Sequence, residues 1–89
     1  MIEKELSITN KLGLHARAAA KLVNLASEFD SEIHIAKDDN WVNGKSIMGV
    51  MMLAAAKGSN ICVKAEGDDE LQAIDKIEAL VINRFGENE

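Results

Sequence analysis

The sequence predicts an α+β two-layer sandwich: a four-stranded antiparallel sheet with three helices on one face, in the order βαββαβα. Three observations predict it. Short segments alternate apolar and polar residues, the pattern of strands covered on one face only. Between them lie alanine-rich or 3.6-period apolar runs, the pattern of helices. The chain has 89 residues, no proline and no repeat or low-complexity run, which fits one domain over residues 1–89.

In residues 2–8, Ile2, Lys4, Leu6 and Ile8 share one face of an extended segment, with Glu3, Glu5 and Ser7 on the other. Lys4 is the exception on the apolar side. Thr9 to Leu14 is a loop, punctuated by Asn10 and Gly13. Ala16 to Ser27 is helix-favouring, with Ala19, Leu22, Val23, Ala26 and Phe29 at helical spacing. Glu32 to Lys37 alternates again, Asp38-Asp39-Asn40 makes a turn, and Trp41-Val42 is a short return strand. After the break at Asn43-Gly44-Lys45, Ser46 stands where a helix N-cap is expected. The apolar stretch behind it, Ile47 to Ala56, ends at Lys57-Gly58-Ser59. Asn60 to Glu66 is the fourth strand. Gly67 to Glu70 is a turn whose acids suit a helix start. Leu71, Ile74, Ile77, Val81 and Phe85 form the stripe of the last helix, with Gly86 as its stop.

Composition narrows the function. The chain is 47% hydrophobic and 28% charged, an ordinary globular balance that argues against disorder. No apolar run reaches the length of a membrane span, so no membrane insertion is expected. Met1-Ile2-Glu3-Lys4-Glu5 is too acidic for a secretory signal. A single cysteine, Cys62, cannot form an internal disulfide or a cysteine-rich metal site. These features favour a cytoplasmic protein. The net charge of −5 argues against nucleic acid as a partner. Residues 66–89 hold 8 acids and 2 bases, leaving a nearly neutral N-terminal part able to meet an anion or an acidic partner. The glycines form no phosphate-loop or dinucleotide pattern, so no cofactor is expected.

Three places can carry chemistry. His15, in Gly13-Leu14-His15-Ala16-Arg17, sits where a loop becomes a helix. The first-turn N–H groups have no partner inside a helix and attract anions. An imidazole there can be a nucleophile toward phosphorus, with Arg17 donating to a phosphoryl oxygen. An unperturbed histidine, with a pKa of about 6.5, is largely neutral at cytosolic pH, as a nucleophile must be. The plain alternative is a surface or capping histidine. Ser46 is either a simple N-cap or a site where a phosphate would sit well on a helix dipole. Three of the chain's four methionines lie in Ile47-Met48-Gly49-Val50-Met51-Met52-Leu53. They are either core or an adaptable partner surface; a short helix cannot bury Ile47, Met48, Met51 and Met52 together. His34 alternates with Ile33 and Ile35 and reads as a solvent-side strand residue. Two histidines without a cysteine partner make no metal site. Trp41 and Cys62 read as structural.

Two blocks together resemble a known family. One is Ile8-Thr9-Asn10-Lys11-Leu12-Gly13-Leu14-His15-Ala16-Arg17, followed by Ala19-Ala20. The other is Asn43-Gly44-Lys45-Ser46-Ile47-Met48-Gly49-Val50-Met51-Met52-Leu53. With Ala65 to Glu70 as the entry to the last helix, they resemble, in register over essentially the whole chain, the HPr family of histidine phosphocarriers of the bacterial phosphotransferase system. The resemblance implies an open-faced β-sandwich, which agrees with the element order. It implies that His15 is phosphorylated on Nδ1, that Arg17 contacts the phosphoryl group, and that Ser46 is phosphorylated by a regulatory kinase in members that have one. It implies Enzyme I as donor, EIIA-type proteins as acceptors, and a monomeric carrier with no small-molecule turnover of its own. Ala20, Ile47, Met48, Met51 and Met52 would form the docking surface. The family usually has proline after the arginine; here it is Ala18, which keeps the helix but adds a first-turn N–H. Thr9 to Gly13 resembles the nitrogen-related branch, whereas Lys45 to Met48 resembles members controlled by the serine kinase. Another reading of the same fold is a regulatory protein-binding module acting through the Ile47–Leu53 surface. A small acylphosphatase would need a glycine-rich arginine loop that the chain lacks, and an acyl carrier would be all-helical.

Overall fold

A computed structural model describes residues 1–88. Strands β1 (Ile2–Ser7), β2 (Glu32–Lys37), β3 (Asn40–Asn43) and β4 (Asn60–Glu66) form one sheet in the order β1-β4-β2-β3. Every neighbouring pair is antiparallel. Helices α1 (Ala16–Ala26), α2 (Ile47–Met52) and α3 (Glu70–Ile82) cover one face, as the alternation predicts.

Period-2 patterning explains which face they cover. Leu6, Ile33, Ile35, Ile61, Val63 and Ala65 point into the core, where Ala19, Leu22, Ile74 and Ile77 meet them. Lys4 lies on the same side without entering the core: its Nζ donates to Glu78 Oε1 of α3 at 2.9 Å. That pairing keeps the charge at the rim, where both side chains stay partly exposed. On the open face, His34 stands opposite Lys64, and the Lys64 ammonium lies 4.4 Å from the Trp41 ring centroid. Cys62, half-buried on that face, has its thiol pushed up by burial and by Glu5 and Glu3, which opposes thiolate formation.

The β2–β3 turn places Asp38 and Asp39 at positive φ, the geometry of a tight two-residue hairpin. The loop between α1 and β2 is held elsewhere. Asp69 does not cap α3 through its side chain. Its carboxylate accepts from the backbone N–H groups of Asp30 and Ser31 and from the Ser31 hydroxyl. Those donors hold Asp69 below the usual carboxylate range, the Ser31 hydroxyl contributing most.

Two helical expectations need correction. The apolar stretch after Ser46 does not stay helical to Ala56; α2 ends at Met52. The chain turns at Ala54, at φ 50°, so that Ala55 is buried and its carbonyl accepts from Leu14 N–H at 2.8 Å. In α3, Leu71 lies outside the stripe and is exposed, while Ala73 takes the buried place. Phe85 is in the core, but beyond the helix: Arg84 and Phe85 both adopt positive φ in a short turn, Arg84–Gly86. Among the described residues, no helix is long and apolar enough to cross a membrane.

Candidate functional site

The loop before α1 is built to present His15. Asn10 is fully buried, and its amide donates to Gly13 O at 2.8 Å while Gly13 N–H returns a bond to Asn10 O. Gly13 has φ 65°, and a Cβ there would lie 2.4 Å from Ala55 O, so only glycine lets the loop close on the 55–56 backbone. Leu14 is buried beside it. The next residue is therefore delivered to the mouth of α1.

His15 is the N-cap, extended at φ −70° and ψ 176°, and its carbonyl accepts from Ala19 N–H at 2.8 Å. Its side chain makes no capping bond, so the ring does not claim the first-turn donors. An open cleft at this end of α1 is lined by Lys11, Leu12, His15, Ala16, Arg17, Glu87 and Asn88. His15 and Arg17 thus share one concave surface. Ala18 is fully buried in the first turn.

Glu87 and Asn10 complete the site, and sequence reasoning missed both roles. Glu87 Oε2 lies 2.5 Å from His15 Nε2, and its Oε1 accepts from Asn10 Nδ2 at 3.0 Å. The bonds to His15 and Asn10 hold the Glu87 carboxyl below its ordinary range. No periodicity links residues so far apart in sequence; Asn10 read only as loop punctuation.

Ser46 caps α2, accepting from Gly49 N–H through Oγ at 3.1 Å, as its position predicts. Lys45 before it is used structurally, with Nζ donating to Phe29 O at 2.7 Å just beyond α1. In α2 only Val50 is buried. Ile47 is 42% exposed, Met48 72%, Met51 39% and Met52 79%, so the methionines are surface rather than core. Leu53 is buried, which removes it, with Val50, from the Ile47–Leu53 face. Ala20 is half-buried on α1, which packs against α2. Among the described residues, no group of three or more His, Cys, Asp or Glu side chains could hold a metal.

The family model for the phosphorylation-site component HPr of the phosphotransferase system matches residues 2–83. The chain is 51% identical to the phosphocarrier protein HPr of Cupriavidus necator over 89 residues, covering all of both chains. It is equally identical, over the same length, to the phosphocarrier protein HPr of Neisseria meningitidis serogroup A. The crystal structure of HPr-C-His from Thermoanaerobacter tengcongensis superimposes with a TM-score of 0.96 at 47% identity, covering all of both chains. By class this is a phosphoryl carrier, a protein that holds the group in transit rather than turning over a small molecule. The chain belongs to the HPr family, the histidine phosphocarriers of the phosphoenolpyruvate-dependent phosphotransferase system.

Proposed function

We propose that residues 1–89 act as one carrier domain in which His15 accepts the phosphoryl group on Nδ1 from Enzyme I and passes it to an EIIA-type protein. The observation that carries this is the placement of His15 as an N-cap whose ring leaves the first-turn donors uncapped, in one cleft with Arg17. The Nδ1 lone pair attacks phosphorus. The equatorial oxygens then meet first-turn N–H groups and the Arg17 guanidinium, which need little reorganisation as charge moves onto them. Arg17 is exposed and can follow the group as it enters and leaves.

Ala20, Ile47, Met48, Met51 and Met52 form the docking surface in this reading. Exposed, flexible methionines suit a carrier that must fit a donor and then an acceptor, each in a transient contact of modest area. Ser46 is the regulatory position. A phosphate there would lie beside the Met48 face and change its charge without entering the His15 cleft. The setting is the cytoplasm and the carrier a monomer.

A label chase tests the reading. Phosphoryl label from phosphoenolpyruvate should move through Enzyme I onto this chain and leave it when an EIIA-type protein is added. His15→Ala should block the chase at Enzyme I while the circular dichroism spectrum stays that of the folded protein. Label that reaches the acceptor through His15→Ala would refute the proposal.

A further inference from the structure

We infer that Glu87 is a positioning residue for phosphoryl acceptance: from the Nε2 side it holds the His15 ring with the Nδ1 lone pair open, and Asn10 holds Glu87 in turn. The inference rests on the reading of His15 as the acceptor.

Three observations support it. The first is the chain of contacts from Asn10 Nδ2 to Glu87 Oε1, at 3.0 Å, and from Glu87 Oε2 to His15 Nε2, at 2.5 Å. An ionised carboxylate only accepts, so the proton in the second contact sits on Nε2; a neutral ring carries one proton, which leaves Nδ1 bare. The second is the anchoring of Asn10. It is fully buried, and both of its amide contacts, Gly13 O and Glu87 Oε1, are acceptors. Its NH2 group must therefore face them, and its Oδ1 is left without a partner. An orphaned buried oxygen is costly, and it persists here with the amide aimed at Glu87. The third is the delivery of Glu87. Phe85 is buried, Lys21 Nζ donates to its carbonyl at 2.6 Å, and Glu87 N–H bonds Arg84 O at 2.9 Å. Two residues at positive φ, Arg84 and Phe85, bend the chain back to the mouth of α1. Glu87 therefore arrives from an anchored turn.

The carboxylate does not block the phosphoryl position. It sits at Nε2, and the two ring nitrogens point apart. In the transfer step the Nδ1 lone pair forms a bond to phosphorus while the donor's bond to phosphorus breaks. That electron pair stays with the donor. The Nε2 proton does not move. The ring becomes cationic on bonding phosphorus, and Glu87 is the counter-charge already in place. This is the logic of a nucleophilic side chain oriented by a third group, with a carboxylate fixing the tautomer from the far nitrogen.

The test compares the full-length protein with Glu87→Ala and Glu87→Gln. Ring 15N–1H correlation spectra are taken at about pH 8, where an ordinary histidine is neutral, together with kcat/KM for uptake from phosphorylated Enzyme I. The unsubstituted protein should show Nε2–H alone. Glu87→Ala should populate the Nδ1–H form and lose roughly ten-fold in kcat/KM, the size of one hydrogen bond to a charged group. Glu87→Gln keeps an accepting oxygen without the charge; it should retain the tautomer and recover part of the rate. An alanine variant with an unchanged spectrum and rate, or with faster uptake, overturns the inference and leaves His15 as acceptor untouched. Uptake that survives His15→Ala overturns both.

Discussion

Gly13 stands at φ 65°, with the Ala55 carbonyl 2.4 Å from where a Cβ would lie. Gly13→Ala therefore meets both a disfavoured backbone region and backbone atoms that cannot swing aside. It should lower stability by about 2–4 kcal/mol. Urea denaturation should show a lower midpoint with an unchanged m-value; an unchanged midpoint would mean that the loop closes without glycine. Arg17 is the opposite case, exposed and lining the cleft. Arg17→Ala should leave the melting temperature unchanged and slow uptake roughly ten- to a hundred-fold, from the loss of a charge-assisted hydrogen bond. A fall of less than two-fold would remove Arg17 from the phosphoryl contact. At this scale the sequence showed a histidine and an arginine at a helix start, and the structure puts them in one cleft. Asn10 and Glu87 were not legible, because their contact spans 77 residues and no local period encodes it.

Among the elements, α2 carries the proposed regulatory position. Ser46 already accepts Gly49 N–H, and an aspartate can make the same cap, so Ser46→Asp should not lower the melting temperature. It does place a charge beside Met48. Uptake from Enzyme I should weaken, and salt should change the deficit by screening that charge. Transfer kinetics that match the unsubstituted protein across salt concentrations would exclude Ser46 as a control point. The entry to α3 is a second device. Asp69 is held below the usual carboxylate range by the Ser31 hydroxyl and the Asp30 and Ser31 N–H groups. A depressed pKa contributes stability that is present above the unfolded value of about 3.9 and is lost as pH falls through the folded value. Asp69→Asn should thus be destabilised near neutrality, and the gap from the unsubstituted protein should narrow as pH falls below about 4. A gap that stays constant with pH would show that the carboxylate charge is not what holds the loop. Element types were legible because period-2 and period-3.6 patterns survive in a thin, one-sided sheet. The end of α2 was not, because Ala54 turns the chain without a glycine or proline to mark it. That turn exists to bring Ala55 O to Leu14 N–H, a tertiary demand.

For the whole molecule, the one-sided architecture separates two jobs. The covered sheet face and the helices share the core; the Lys64–Trp41 contact occupies the open face. The cleft gathers Lys11, Leu12, His15, Ala16, Arg17, Glu87 and Asn88 at the mouth of α1, with the exposed residues of α2 on the helix packed against α1. The strand order β1-β4-β2-β3 follows from interleaving two βαβ-type passes, so segments distant in sequence meet at one end of the helix layer. The order of elements was readable in advance, and the resemblance of two blocks pointed to the family that the whole-length similarity then established. The C-terminal turn was not readable: Phe85 continues the apolar period of α3, yet it reaches the core through a backbone reversal.

The central claim is that His15, at the uncapped mouth of α1, is where the phosphoryl group rests. Intact mass after incubation with phosphoenolpyruvate, Mg²⁺ and Enzyme I tests it most directly, run beside His15→Ala and followed by mild acid. The protein should gain one phosphoryl group that acid removes, and His15→Ala, still folded, should not acquire it. A gain that resists acid, or that appears unchanged in His15→Ala, would contradict it.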